Sequence, residues 1–306
     1  MSKNKHLNKA KRLNNDEFYT QYVTVERELD HYDLHFKGKV IYCNCDDYTS
    51  SNFFKYFKTH YKRFGLKRLI ATHLTDEGRA EKAVYDGNKI TTENIGGNGD
   101  FRSEEAVSIM LEADIVVTNP PFSLFRDFVK LLIEKDKDFI ILGNLNAVTY
   151  VDIFPHIKSG KILPGVNFNV SEDFKVPTEY EKIVKTKRNG KGELVSTIPN
   201  ISWYTTISHG KFKRLKPTAI FEKERYYKYD NYDAIDIPKV GLIPKNYAGV
   251  MGVPVNFLSR YDPEQYEILG SNRGVNQDEV GYFGRSSFVG GKETYKRLFI
   301  KQKQSK

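Results

Sequence analysis

Strand-like and helix-like segments alternate through the first half of the chain, and this alternation restricts the possible fold more than any other feature. Apolar, β-branched runs predict strands at residues 39–43, 67–72, 114–118 and 138–142. Helical spacing predicts helices at residues 22–35, 51–63, 103–112 and 123–135. The polar, Gly-rich stretch 75–100 carries no predicted element. The pattern therefore predicts an α/β fold, with a doubly wound parallel sheet covered by helices on both faces.

The segment Asn119-Pro120-Pro121-Phe122 directly follows one of these predicted strands. Prolines have no backbone N–H to donate, so they end the strand, and Ser123 is a suitable N-cap for the next helix. The result is a rigid turn at the carboxyl end of a strand, where open α/β sheets bind ligands. The Asn119 amide oxygen and the Pro120 carbonyl are two fixed acceptors for a planar exocyclic amine, and Phe122 offers a ring for stacking. Adenine N6 fits this description, provided that the base is flipped out of the duplex.

The pattern changes after residue 160. The sequence KIVKTKRNGKGELVSTI predicts a basic β-hairpin that turns at Asn189-Gly190, and the chain beyond about residue 210 is rich in Tyr, Lys, Gly and Pro. We therefore predict a catalytic domain at residues 16–210 and a smaller C-terminal region at 211–306. Residues 1–15 are lysine-rich without apolar periodicity, which predicts a flexible arm that either solubilises the chain or contacts phosphates.

Charge and composition restrict the kinds of partner that the protein is expected to bind. Forty-eight Lys and Arg against 39 Asp and Glu give a net charge of +9, which favours a polyanionic partner such as nucleic acid. No apolar run approaches 18 residues and the N-terminus lacks an apolar signal core, so we expect a cytoplasmic protein that does not bind membranes. The two cysteines and seven histidines have no metal-ligand spacing, so no metal is expected.

Several segments resemble the EcoRI-type adenine-specific DNA methyltransferases, which belong to the amino-group methylases. The matching segments, in the order of that family, are NDEFYTQYVTVEREL, VIYCNCDDYTSSNFFKYF, GDFRSEEA, DIVVTNPPFSLF, KYDNYDAI and GVMGVPVNFL. The resemblance implies a Rossmann-like catalytic domain, a C-terminal DNA-recognition region and S-adenosylmethionine as methyl donor. It also implies a monomer that methylates adenine N6 in double-stranded DNA by direct transfer, in a restriction-modification system with a cognate endonuclease or as an orphan or phage methylase.

The same resemblance assigns residues that hold the cofactor. Tyr19 and Thr20 match the segment that holds its methionine end, although Gln21 replaces the usual proline. Asp46 and Asp47 follow the first predicted strand, in a turn that lacks the usual glycines. They are expected to bind the methionine amino group or, alternatively, to favour the following helix through its dipole. Asp100 is expected to accept from the cofactor's adenine amine, or else to stabilise a turn. Asn119 also borders this cofactor site, whereas the ribose-binding acid stays unassigned.

Basic side chains are expected to contact DNA phosphates, and one or two arginines to contact guanine edges. They are Lys185, Lys187, Arg188 and Lys191 in the hairpin, and Arg225, Lys228, Arg273, Arg285 and Arg297 in the C-terminal region.

Two alternative functions remain open at this point. One is an RNA or protein amide-nitrogen methyltransferase, since these enzymes also use Asn-Pro-Pro-aromatic motifs. The other is a catalytically silent nucleic-acid-binding protein on the same fold.

Overall fold

The computed structural model describes residues 19–74, 79–96, 99–176, 185–212, 214–273 and 284–303. The arm predicted at residues 1–15 lies outside these ranges. The chain divides into two compact units, Met1–Asn144 with Val170–His209, and Leu145–Asn169 with Gly210–Lys306. In this division Leu145–Asn169, which the prediction placed in the catalytic domain, groups with the C-terminal residues.

A large mixed sheet forms the centre of the first unit, which confirms the α/β class. Its strands are β1 (Tyr19–Thr20), β2 (Val40–Asn44), β3 (Arg68–Leu74), β4 (Ala80–Tyr85), β5 (Ile90–Ile95), β6 (Ile115–Thr118), β7 (Asp138–Asn144), β8 (Leu163–Lys175), β9 (Lys187–Arg188) and β10 (Leu194–Thr205). They lie in the order β1-β8-β10-β7-β6-β2-β3-β4-β5, and β9 pairs with β10. The four strands β7, β6, β2 and β3 are parallel to one another.

The helices of this unit are α1 (Tyr22–Leu29), α2 (Asn52–Thr59), α3 (Tyr61–Phe64), α4 (Glu104–Glu112) and α5 (Phe125–Glu134). Ser51 caps α2 by accepting from the backbone N–H groups of Phe53 and Phe54, and Ser103 caps α4 in the same way. These caps fix where each helix begins after its preceding loop.

The central residues of the parallel strands are buried on both faces, which explains why those residues are almost all apolar. Residues such as Ile41 and Val117 belong to a cluster that includes the fully buried Phe57 of α2. Their neighbours in sequence, Tyr42 and Val116, face the opposite way and are also fully buried. The core therefore holds the ends of β2 and β6 in fixed positions.

The stretch 75–100 differs from the prediction, since it contains the antiparallel hairpin β4–β5. In β5, Thr91 to Asn94 are exposed, and only Ala80 and Ala83 of β4 are buried. An edge hairpin with so few buried apolar side chains lacks the hydrophobic alternation by which strands are predicted.

The second unit has a four-stranded sheet and a short hairpin. Its elements are α6 (Phe154–Lys158), β11 (Ile235–Asp236), β12 (Met251–Pro254), β13 (Tyr266–Ser271), β14 (Phe288–Val289), β15 (Lys292–Glu293) and β16 (Arg297–Gln302). The sheet order is β11-β12-β16-β13. Among the residues described, no helix is long and apolar enough to cross a bilayer.

Candidate active site at the carboxyl ends of two parallel strands

A hydrogen-bonded link joins the loops that follow the adjacent parallel strands β2 and β6. The Thr118 hydroxyl, at the end of β6, lies 2.5 Å from the Asn44 carbonyl oxygen and 2.7 Å from Asp46 Oδ2. One hydroxyl carries one proton, so Thr118 donates to one of these oxygens at a time, and both contacts are satisfied together only when Asp46 is protonated. The turn with Asp46 and the Asn119–Phe122 segment are therefore brought together at one edge of the sheet.

Asp46 sits in a protein environment that disfavours its charged form. Ser51 donates a 2.6 Å hydrogen bond to Asp46 Oδ1, and the Asp46 backbone N–H donates to the Thr72 carbonyl. Burial raises the pKa of the Asp46 carboxyl to about 7, against the lowering effect of the Ser51 and Thr118 hydrogen bonds. The carboxyl group therefore changes charge near neutral pH.

Asp47 has a different environment in the same turn. Its carboxylate accepts from the backbone and hydroxyl of Thr49 and from the hydroxyl of Ser50. Burial acts to raise the pKa of Asp47, but these hydrogen bonds and the neighbouring His73 together lower it. Asp47 stays ionised at neutral pH and stabilises the turn before α2, whereas the adjacent Asp46 titrates near pH 7.

Cys45 gives this turn the backbone conformation that glycine usually supplies. The sequence lacks glycine here, which suggested a turn less free to approach a ligand closely. Cys45 nevertheless has φ of +61°, in the left-handed region, at a cost of about 1–2 kcal/mol for a residue with a Cβ. The turn therefore keeps a glycine-like path.

We expect Cys45→Gly to be more stable than Cys45→Ala by about 0.5–1 kcal/mol. Both variants lose the thiol, but only glycine relieves the strain of the left-handed conformation in the folded state. This gain exceeds the roughly 0.4–1 kcal/mol by which glycine stabilises the unfolded state through its greater conformational entropy. Urea unfolding of the two variants measures the difference. An alanine variant as stable as the glycine variant would show that Cys45 is not strained.

The Asn119–Phe122 segment leads into helix α5 by a short 3₁₀ turn. That turn spans Phe122–Leu124, and α5 begins at Phe125 with Leu124 as its N-cap, so the prediction that Ser123 is the N-cap was wrong. The Phe125 ring packs on Gly143 of β7, where a Cβ would lie 2.5 Å from the ring. This close approach requires glycine and fixes the start of α5 against the sheet.

Within the motif, the residues differ in exposure. Pro120 is buried, the Asn119 side-chain oxygen is buried, and Phe122 is half-buried and packs against the core. The Asn119 oxygen is therefore an acceptor shielded from bulk water, where hydrogen bonds are strengthened. The Phe122 ring keeps accessible surface on which a planar group can stack.

Asp100 lies in the loop before α4, and aromatic packing ties that loop to α5. The Phe101 ring packs edge-to-face on Phe128 at 5.1 Å. The Asp100 carboxylate accepts two hydrogen bonds from the Arg102 guanidinium, at 2.9 and 2.6 Å, and these lower the pKa of Asp100. Asp100 is thus ionised and already bonded within its own turn.

The N-terminal strand supplies a buried hydroxyl. Tyr19 and Thr20 pair with the end of β8, and the Asn52 side chain donates to the Thr20 carbonyl at 2.8 Å. Since Asn52 begins α2, Thr20 lies close to the helix that follows the Asp46 turn. Thr20 Oγ1 is buried and has no hydrogen-bond partner among the residues described. The Tyr19 side chain is not among the described ones.

The basic hairpin exists, with a different turn from the predicted one. Strand β9 pairs with β10, and the Asn189 side chain accepts from the backbone of Lys191 and Glu193. Gly192, with φ of +78°, takes the left-handed position in this turn. All four predicted cations are exposed; Lys187 pairs with Asp173, and Arg188 donates to the Gly192 carbonyl.

The predicted cations of the second unit fall into two groups. Arg225, Lys228 and Arg285 are exposed, the first two beside Glu222 and Asp233, while Arg273 is partly buried and pairs with Glu293. Arg297 is buried, and its Nε donates to Asp236 at 3.0 Å. Its expected role as a DNA contact is therefore replaced by a structural one, since a paired, buried guanidinium cannot reach a phosphate.

Comparisons with known proteins identify the family of the chain. The family model described as "Adenine-specific methyltransferase EcoRI" matches residues 6–305. The chain is 40% identical to the Type II methyltransferase M.EcoRI of Escherichia coli, over 98% of this chain and 97% of that protein. It is 37% identical to M.MgeORF184P of Mycoplasma genitalium and to M.MpnI of Mycoplasma pneumoniae, over 98% of this chain and 99% of each. A solved structure, YeaZ from Pseudomonas aeruginosa, matches 63% of this chain and 90% of its own length at 10% identity, with a TM-score of 0.19. The chain belongs to the EcoRI family of adenine-specific methyltransferases.

Proposed function

We propose that this enzyme transfers a methyl group from S-adenosylmethionine to N6 of an adenine that is flipped out of double-stranded DNA. The observation that carries the proposal is the Thr118 link between the Asp46 turn and the Asn119–Phe122 segment. Chain order reverses at β2, since β3 lies on one side of it and β6 on the other. In doubly wound, Rossmann-like sheets, ligands bind in the crevice at this reversal.

The residues beside the crevice fit the cofactor. Its methionine end carries an ammonium and a carboxylate, which need an acceptor and a donor. Asp46 offers a carboxylate, and the buried Thr20 hydroxyl has a hydrogen-bonding capacity that no described residue uses. The Asp100 carboxylate would accept a hydrogen bond from the adenine amine of the cofactor while it keeps its hydrogen bonds to Arg102. When bound, S-adenosylmethionine supplies a methyl group activated by its positively charged sulfur.

The Asn119–Phe122 segment would hold the target base. The Asn119 side-chain oxygen and the Pro120 carbonyl accept the two N6 hydrogens, and Phe122 stacks on the ring. Both acceptors gain strength as N6 acquires positive charge, so they stabilise the transition state more than the bound substrate. The Pro120-Pro121 backbone keeps the acceptors in place without reorganisation.

DNA binding is assigned to the exposed cations of the β9–β10 hairpin and to the C-terminal region 211–306, as the target-recognition region. A net charge of +9 supports a polyanionic substrate. We also propose that the enzyme acts as a monomer and that a cognate endonuclease acts on the same DNA site.

Cofactor affinity is expected to rise about tenfold between pH 6 and pH 8. Asp46, with its pKa near 7, is neutral below that pH and ionised above it, and only the carboxylate pairs with the cofactor's ammonium. Isothermal titration of S-adenosylmethionine across this range measures the effect.

The control for this prediction is Asp46→Asn, which keeps the side-chain volume but cannot ionise. We expect it to bind the cofactor weakly, with an affinity that does not change with pH. Asp47, whose pKa is lowered, stays ionised throughout the range and so does not contribute to the pH dependence of cofactor affinity. A wild-type affinity that is constant from pH 6 to pH 8 would rule out Asp46 as the ammonium partner.

The function is tested by methylation of random-sequence duplex DNA with labelled S-adenosylmethionine, followed by mapping of the modified base. Label on adenine N6 in a fixed sequence context supports the proposal. RNA and protein substrates are included in the same assay. Label on RNA alone would identify an RNA methyltransferase, and label on protein alone would identify a protein amide-nitrogen methyltransferase. Absence of cofactor binding identifies a silent nucleic-acid-binding protein.

A further inference from the structure

The second unit contains an aromatic cleft that the methyl-transfer site does not use. Its volume is about 220 Å³, and its walls include Ala219, Ile220, Tyr226, Tyr227, Pro238 and Leu242. Pockets for drug-sized ligands usually exceed 300 Å³, so this cleft fits a single ring system. Ile220, Tyr227 and Leu242 are each 43–69% exposed, which is unusual for large apolar side chains grouped on one surface.

Ring packing and hydrogen bonds hold one wall of the cleft in place. Phe221 packs between Tyr226 and Tyr247, with ring centroids 5.4 and 4.6 Å away and interplanar angles below 40°. The Tyr226 hydroxyl donates to the Leu242 carbonyl, and the Phe221 N–H donates to Asn246. The wall therefore exists before any ligand arrives, which lowers the entropic cost of stacking on it.

Charge around the cleft favours an anionic ligand. Lys239 follows Pro238 in the wall, and Lys245 is held beside Ala219 by a backbone hydrogen bond. Both lysines are exposed, and neither forms an ion pair among the residues that the structure describes. Asp236, the acid in the lining, is neutralised by Arg297. A flat aromatic surface with free cations beside it suits a base attached to phosphates.

We propose that this cleft binds a second, extrahelical nucleobase of the DNA, distinct from the target adenine. The inference rests on the proposed function, because it requires DNA as the substrate. Distortion of the duplex when the target base is extruded leaves neighbouring or opposite bases with weakened pairing, and a base in the cleft would stack on Tyr227. The cleft would thus hold the opened duplex rather than take part in the chemistry.

Stacking on Tyr227 is tested with a duplex that carries one unpaired, bulged thymidine. Wild type should bind it more tightly than the fully paired duplex, because part of the extrusion cost has already been met. Tyr227→Ala should remove this preference and weaken DNA binding about tenfold, while Tyr227→Phe retains both. Tyr295→Ala is the matched control, since Tyr295 is 71% exposed in the same unit, against 69% for Tyr227, and does not line the cleft.

Crosslinking independently tests whether the extrahelical base lies in the cleft. Duplex DNA with 5-iododeoxyuridine in place of thymidine is irradiated with the full-length protein, and the crosslinked peptides are sequenced. We expect a crosslink at Tyr226 or Tyr227. Crosslinks confined to other residues, or a Tyr227→Ala variant that binds DNA as Tyr295→Ala does, would overturn the inference. The preference for the bulged duplex could also be lost in Phe122→Ala but kept in Tyr227→Ala. That result would overturn the inference and would assign the bulged base to the target pocket. If wild type neither binds nor methylates DNA, the proposed function itself fails.

Discussion

Replacing Asn119 with alanine is expected to lower kcat for DNA methylation by about 10²–10³-fold, with cofactor affinity nearly unchanged. In the proposed mechanism the variant loses an acceptor whose hydrogen bond would strengthen as N6 becomes positively charged, so the loss would fall on the transition state. The burial of the Asn119 oxygen at the end of β6 increases this effect, because water cannot replace the lost acceptor. Single-turnover methylation and cofactor titration measure the two quantities.

Two variants make the Asn119 result interpretable. Asn119→Asp keeps an acceptor oxygen in nearly the same volume and should retain more turnover than alanine. Asn88→Ala changes an exposed asparagine in the β4–β5 turn, and β4 runs antiparallel to β3, which places this turn at the opposite edge of the sheet. It should behave as wild type. If Asn119→Ala turns over at a near-normal rate, the assignment of the target pocket is wrong.

DNA affinity is expected to fall about 10³-fold between 50 and 200 mM salt, if about six phosphates are contacted. Each lysine or arginine at a phosphate releases a condensed counterion on binding, so affinity depends steeply on salt. The exposed lysines of the hairpin, Lys185 and Lys191, are not in ion pairs with any described residue, so they can reach DNA without first breaking one. Fluorescence anisotropy with a labelled duplex measures the slope.

Single variants test which cations contribute. Lys185→Ala and Lys191→Ala should each reduce the salt slope by about one and weaken binding to all sequences alike. Lys62→Ala is the control, because Lys62 is exposed on α3, which follows the C-terminal end of α2 and so lies away from the crevice edge. An affinity that does not change with salt would indicate a substrate other than nucleic acid.

The buried parts of the fold were predictable from sequence because burial leaves a pattern. The strands β2, β3, β6 and β7 have apolar central residues and were predicted within two residues of their observed ends. The β4–β5 hairpin lies at an edge and buries little, so it leaves no such pattern. Ser123 failed as a cap because Phe125 must meet Gly143, and that tertiary contact sets where α5 begins.

The site was predictable to a smaller extent. The Asn119–Phe122 motif could be recognised from its residues alone and its chemistry stays a prediction, whereas the Thr118 link depends on the pairing of β2 with β6. Glycine-like geometry at Cys45 cannot be inferred from a residue that rarely adopts it. Arg297 looked like any other basic residue, and only its pairing with Asp236 shows that it is structural.

The division of the chain into units has a practical consequence for protein engineering. The second unit is assembled from two separate stretches, so no single cut releases either unit intact. A fragment that ends at His209 would retain α6, whose buried Phe154 and Ile157 belong to the element that packs on β13. Those side chains would then face water and favour aggregation. A chimera that exchanges the second unit with that of a relative must transplant both Leu145–Asn169 and Gly210–Lys306, because the unit contains both stretches.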